Sequence, residues 1–205
     1  MNAVVTADIV NSTLMNKTLF SNLVNDLSDL FREDKIEFYR GDSFQAFIKN
    51  ADDALLKCIK SRLLAIQYSE EKRIDIRLSI SMGNLKSNVK VIGSNMDDLF
   101  VKSGRYFDKF QNSSRRLYIT CGDEDKDFTY EIIAEYVDSL LGRVTAKQAE
   151  VLSIILSDKP QIEAAKLLGV TTATISQHVK AARFEEIESM LTKFKILTNQ
   201  LQYGK

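Results

Sequence analysis

Two carboxylates near the start of this 205-residue chain, and a run of hydroxyl, amide and basic side chains near its end, are the groups whose spacing offers chemistry. Asp8 follows the apolar run Ala3-Val4-Val5 and precedes the polar turn Asn11-Ser12-Thr13. Asp42 stands in Arg40-Gly41-Asp42-Ser43, between two β-rich stretches. If strand pairing brings both carboxylates to one sheet edge, their like charges favour a divalent cation. Oxygen donors without histidine or thiolate select Mg²⁺ or Mn²⁺ over zinc. A helix opening after Asp8 would offer backbone N–H groups at Ser12 and Thr13 to phosphate. The ligand expected there is a nucleoside triphosphate, or another phosphorylated small molecule, with its metal. Near the other end, Thr172, Thr174, Ser176, Gln177, Lys180 and Arg183 fall on the outward side of one helical segment. Short donors followed by cations are the chemistry that reads base edges and phosphates of double-stranded DNA. Each group also has a structural role open to it. Asp8 can cap a helix, Asp42 can close an Asx-turn, and the C-terminal segment can be a packing unit with a solvated face.

The composition narrows the classes. Lys plus Arg and Asp plus Glu both total 28, so no global field draws the chain to nucleic acid or membrane. The balance is uneven: up to Gly142 there are 19 basic and 22 acidic residues, and beyond it 9 and 6, a surplus of +3. Cys58, Cys121 and the single histidine, His178, have no ligand spacing, so both thiols are expected reduced in a cytoplasmic protein. No signal-like opening and no apolar run near ~18 residues is present, and a soluble protein without membrane partners is expected.

The elements that must position these groups follow from periodicity. A strand at 3–8, a helix through Leu19, Leu23, Leu27 and Phe31, a hairpin about 40–43, a helix through Leu55, Ile59, Leu63 and Ile66, and a half-buried strand alternating Ile74, Ile76, Leu78, Ile80 and Met82 give β-α-β-β-α-β. That order predicts an α+β, ferredoxin-like domain, an antiparallel sheet with helices on one face. Its first and third strands are neighbours, which is what would bring Asp8 and Asp42 together. A loop at 87–97, a third helix at 98–111 and a last strand at 115–121 follow. The acidic run 122–128 is expected to order poorly and to mark a boundary. The expected division is 1–122 as the α+β domain, 123–142 as linker and connecting helix, and 143–205 as an all-α helix-turn-helix domain with a C-terminal helix. In that last part Thr145 can cap one helix and Pro160 can start a second. Gly169 supplies a positive-φ turn, and Thr171 or Thr172 caps a third, with Ala165 and Ile175 where two helices cross.

These motifs resemble known families. Thr145, Glu150-Val151-Leu152, Ala165, Leu168 and Thr174-Ile175-x-x-His178-Val179 resemble the DNA-binding modules of LuxR response regulators and of sigma-factor region four. "TADIVNST" and "YRGDSFQAF" resemble the two metal-binding elements of class III nucleotide cyclases, "IRLSISMG" a later strand of that domain, and "FVKSGRYFDKF" its helix bearing a transition-state arginine. The resemblance implies Asp8 and Asp42 as metal ligands, Arg105 as the catalytic arginine if the protein is an enzyme, and a site completed between two protomers. Phe38, Ser94 and Val101 depart from it, standing where the cyclases carry their purine-reading Lys and Asp and their Asn. The whole chain resembles the SatD family. The expectation is therefore a homodimeric DNA-binding transcriptional regulator whose N-terminal domain is cyclase-like, catalytically impaired, and dimerising or ligand-sensing, with Lys102 and Arg105 on the phosphates. The alternative is a nucleotidyl cyclase or related metal-dependent phosphoryl-transfer enzyme.

Overall fold

The computed structural model describes residues 1–39, 41–85, 92, 97–110 and 113–203. The chain is mixed α+β. Its described elements begin β1 (Asn2–Val10), α1 (Lys17–Leu30), β2 (Lys35–Tyr39), β3 (Ser43–Ile48), α2 (Ala54–Gln67) and β4 (Asp75–Gly83), and continue α3 (Asp98–Phe110) and β5 (Leu117–Thr120). Five further α-helices complete them: α4 (Glu124–Leu141), α5 (Ala146–Ile155), α6 (Gln161–Leu168), α7 (Thr172–Ala181) and α8 (Phe184–Tyr203). Arg40, most of the expected loop at 87–97 including Ser94, and Gln111 at the end of the third expected helix lie outside the described residues.

The strands form one sheet in the order β2-β3-β1-β4-β5. All neighbours are antiparallel except β4 and β5. β1 is flanked on both sides, so its alternation sorts residues between two covered faces. Ala3, Val5, Ala7 and Ile9 join the large apolar cluster under α1 and α2, with Leu23, Leu27, Leu55, Ile59, Leu63 and Ile66. Val4 points the other way and packs with Phe47, Leu99 and Phe100.

That second layer corrects the expectation of helices on one face and a half-buried β4. Parallel neighbours require a crossover, and the crossover between β4 and β5 lays α3 over the face that α1 and α2 leave open. β4 is consequently buried along nearly its whole length. Arg77, Ser79 and Ser81 on its second face pair across from Asp8, Thr6 and Val4. The join is partly polar: the Thr6 and Ser103 hydroxyls lie 2.7 Å apart.

The acidic run 122–128 is ordered, a second correction. Asp123 caps α4 by accepting from the Lys126 N–H, and Glu124, Asp125 and Asp127 sit in the first turn, where the exposed N–H groups favour negative charge. Asp127 also accepts from Thr120 Oγ1 and the Cys121 N–H, both at 2.6 Å, tying α4 to β5. Segment 123–142, expected as a linker and connecting helix, buries Tyr130, Ile133, Ala134, Val137, Leu140 and Leu141 in the same cluster as the sheet.

The C-terminal helices dock on this body. Ala149 and Leu152 of α5 and Ile187 and Phe194 of α8 belong to the large cluster, and Gln67 at the end of α2 donates to Ser153 Oγ at 2.7 Å. α8 runs back over α4 to the sheet: the Tyr130 and Thr198 hydroxyls lie 3.3 Å apart, Phe194 packs edge-on against Tyr130, and Thr198 Oγ1 reaches Met82 Sδ of β4 at 3.9 Å. α5, α6 and α7 share a smaller cluster of Val151, Ala164, Ala165 and Ile175. Thr145 and Gln148 form a capping box on α5, Gly169 turns the chain with φ 64° after α6, and Thr171 caps α7.

Candidate functional site

The sheet end at Asp8 gathers charge from four successive strands or their ends. Asp8 pairs with Ser43 on one side and Arg77 on the other. The Asp42 carbonyl, one residue before β3, accepts the Ile9 N–H at 3.0 Å. Beyond β4, the Arg116 carbonyl accepts the Leu78 N–H at 2.8 Å, so Arg116 adjoins Arg77 just before β5. The structure thus brings Asp8 and Asp42 together. A hairpin turn makes the approach feasible: Gly41 has φ 86°, left-handed geometry that suits glycine.

The turn after β1 contributes one more group. Asn11 has φ 63° and anchors by donating to the Arg73 carbonyl at 2.7 Å; a 3₁₀ turn follows at Ser12–Leu14. It directs Ser12 Oγ to donate to Asp42 Oδ2 at 2.6 Å. Thr13, in the same turn, is exposed.

Two features mark this cluster as incomplete. Asp8 Oδ2 meets Arg77 Nη1 at 3.3 Å, a long contact, while Asp8 Oδ1 and Arg77 Nε are buried without a hydrogen-bond partner. An acceptor without a donor and a donor without an acceptor are costly unless water or a ligand supplies the missing partners. Burial pushes the Asp8 carboxyl above its ordinary range; Arg77 opposes this, Asp42 adds to it and Arg116 opposes it. Burial and, next, the charge of Arg77 lower the Arg116 pKa. Asp8 Oδ1 is the unfilled oxygen of this cluster, while Arg77 engages Asp8 Oδ2 and Ser12 engages Asp42 Oδ2. Among the described residues no group of three or more His, Cys, Asp or Glu side chains is arranged for a metal.

The two basic residues expected on the phosphates both lie on α3. Lys102, exposed on α3, lines a groove of about 240 Å³ with Ser81, Gly83, Tyr106, Thr120 and Gly122. Ser81 pairs with Val4, four residues along the strands from the Asp8–Arg77 pair and roughly 13 Å away at the usual strand rise. Arg105 is exposed on α3. The cations beside Asp8 are Arg77 and Arg116, which sequence reasoning missed. Arg77 falls in the polar phase of a strand whose second face the alternation assigns to solvent, and only the antiparallel register with β1 makes it Asp8's neighbour.

On α7, Thr172, Ser176, Gln177 and Lys180 are exposed and Ile175 is the one fully buried residue. Thr174 is half-buried and belongs to the cap: its N–H donates to Thr171 Oγ1 at 3.1 Å, and the two hydroxyls lie 2.9 Å apart. Arg183 lies past the helix end with φ 55° and is paired with Glu186. His178 is half-buried in a shallow groove with Lys147, Glu150 and Leu168. No helix among the described residues is long and apolar enough to cross a membrane. Comparison of the chain with protein-family models and with curated proteins gives no match to either.

Proposed function

We propose that this protein is a DNA-binding transcriptional regulator in which α5–α7 form a helix-turn-helix domain and the sheet is a ferredoxin-like, cyclase-like domain that senses a ligand or dimerises. One observation carries the reading: α7 is capped, acid-free and anchored by Ile175, with Thr172, Ser176, Gln177 and Lys180 turned outward. A helix held by Ile175 and Val179 against α5 and α6, its outward face polar and basic, has the form of a recognition helix in a major groove. The strand order β2-β3-β1-β4 supports the ferredoxin-like half, with β5 added at the edge. A surplus of only +3 beyond Gly142 favours two half-sites bound by a homodimer over a lone monomer. The resemblance to the SatD family agrees with this combination.

The test is anisotropy of a labelled mixed-sequence duplex titrated with the full chain across a salt series. Binding that weakens linearly on a log–log plot is expected. Lys180→Ala should weaken binding to all duplexes and reduce the slope by about one, whereas Gln177→Ala should cost ~1–3 kcal/mol only on a preferred sequence. Salt-insensitive binding, or variants indistinguishable from wild type, would sink the reading.

A second reading, a nucleotidyl cyclase or other metal-dependent phosphoryl-transfer enzyme, is favoured by the Asp8–Asp42 convergence alone. It needs Mg²⁺ or Mn²⁺ on that pair and a second protomer to supply Arg105. Turnover of a nucleoside triphosphate that Asp8→Ala abolishes would establish it. Under the regulator reading, Asp8→Ala leaves basal DNA binding intact and removes only its response to ligand.

A further inference from the structure

We propose that Glu186 is an internal competitor for DNA: it occupies the guanidinium of Arg183, so that a duplex phosphate must displace a carboxylate before that cation can bind it. The proposal rests on the DNA-binding reading and specifies how that surface is restrained.

Arg183 follows α7 directly, in a left-handed conformation that is costly for a residue with a Cβ. Its Nε donates to Glu186 Oε1 at 2.5 Å and its Nη2 to Glu186 Oε2 at 2.6 Å, a bidentate fork. Nη2 also donates to the Tyr136 hydroxyl at 3.2 Å, and that hydroxyl in turn donates to Glu186 Oε2. The three side chains close a ring joining the α7–α8 junction to α4.

The ring borders the outward face of α7. Arg183, Lys180 and Ser176 line one groove of about 440 Å³ together with Gln161, Glu185 and Glu186. Two carboxylates therefore stand where a phosphate approaching Lys180 would arrive. Arg183 and Glu186 are 45% and 35% exposed, and an ion pair so hydrated adds little to stability. It can open without unfolding the helices, and a phosphate offers the same two-oxygen geometry as the carboxylate. Arginine is thus present at the surface and withheld from it.

The experiment uses the full chain and the same labelled duplex across a salt series, comparing wild type, Glu186→Gln, Tyr136→Phe, and Glu186→Gln combined with Arg183→Ala. Glu186→Gln should tighten binding by roughly two- to fivefold and steepen the log–log salt slope by about 0.9, one additional phosphate contact. Tyr136→Phe, which removes one anchor of Glu186, should move affinity the same way by less. Adding Arg183→Ala to Glu186→Gln should cancel both gains. If wild type binds DNA with a salt slope and Glu186→Gln leaves affinity and slope unchanged, the competition is wrong while the DNA-binding reading stands. If the gain survives Arg183→Ala, Glu186 acts by general repulsion and Arg183 is not its target, which also overturns the proposal. Absence of salt-dependent binding in every variant, each checked for a wild-type melting profile, removes both ideas together.

Discussion

Two arginine–carboxylate clusters sit within two residues of each other on β4, and they differ in whether their atoms are satisfied. At Asp75, the buried Arg62 forks onto both carboxylate oxygens at 2.9 and 3.0 Å and reaches Asp138 at 2.5 Å. Asp75 also accepts the Ile76 N–H, and Asp138 Oδ2 accepts the N–H groups of Arg116 and Leu117 at 2.8 and 3.1 Å. Arg73 extends the set to the Leu141 and Val144 carbonyls at the end of α4. Around Asp8, by contrast, one long contact to Arg77 leaves a carboxylate oxygen and a guanidinium nitrogen unpaired. The Asp75 pKa is held below the ordinary carboxylate range, its paired arginines and hydrogen bonds outweighing the burial that acts first against it, while that of Asp8 is raised by burial. Residue type does not separate a structural cluster from a candidate site; completeness of hydrogen bonding does.

The sharpest way to break that contrast is to delete Arg62. Arg62→Ala leaves the buried Asp75 with only Arg73 and the Ile76 N–H, and Asp138 with its backbone donors alone, and should cost ~3–5 kcal/mol in urea unfolding, with α4 and the C-terminal helices loosening together. A loss under about 1 kcal/mol would mean that the cluster contributes no more than a surface ion pair. The acid limb of stability supplies an independent check. Because the folded pKa of Asp75 lies below its unfolded 3.8, its contribution is present above that unfolded value and disappears as pH falls through the folded one; Asp75→Asn should remove this component.

Asp8 should behave in the opposite sense. Its folded pKa lies above 3.8, so burying the charged form opposes folding at neutral pH, and that cost fades as pH falls through the folded pKa. Asp8→Asn should therefore change stability by no more than ~1 kcal/mol, since the hydrogen bonding it removes is poor. The same substitution should abolish any thermal stabilisation by Mn²⁺ or Mg²⁺ with a nucleoside triphosphate. In wild type that stabilisation should decline as pH falls towards the raised pKa of Asp8. A metal response that survives in both Asp8→Asn and Asp42→Ala would move the cation elsewhere.

The most local substitution is the most discriminating. Ser12→Ala removes the hydroxyl that satisfies Asp42 Oδ2 and should cost ~0.5–1.5 kcal/mol in apo protein. By freeing that oxygen it should leave Mn²⁺-dependent stabilisation equal or larger. A decrease would instead make Ser12 part of the ligand set.

Much of the local structure was legible in the sequence. Apolar alternation located β1 and β4, the hairpin followed from Gly41, and Thr145, Gly169 and Thr171 marked helix ends, because caps and turns are chosen by residues a few positions apart. The approach of Asp8 to Asp42 was legible for the same reason, through the pairing that a β-α-β-β order implies. The acidic run 122–128 was misread because one composition serves both a solvated tail and the first turn of a helix whose N–H groups need anions.

What the sequence determined by itself was periodicity: which residues turn inward on each element, and which carboxylates and donors remain facing out. Only the tertiary structure decided which outward faces were then covered and by whom. α3 closed the second face of the sheet, β4 set Arg77 rather than Lys102 beside Asp8, and α4 brought Tyr136 against Glu186. Those neighbours come from elements tens of residues apart, and a charged side chain carries no local signal of the strand or helix that will lie across from it.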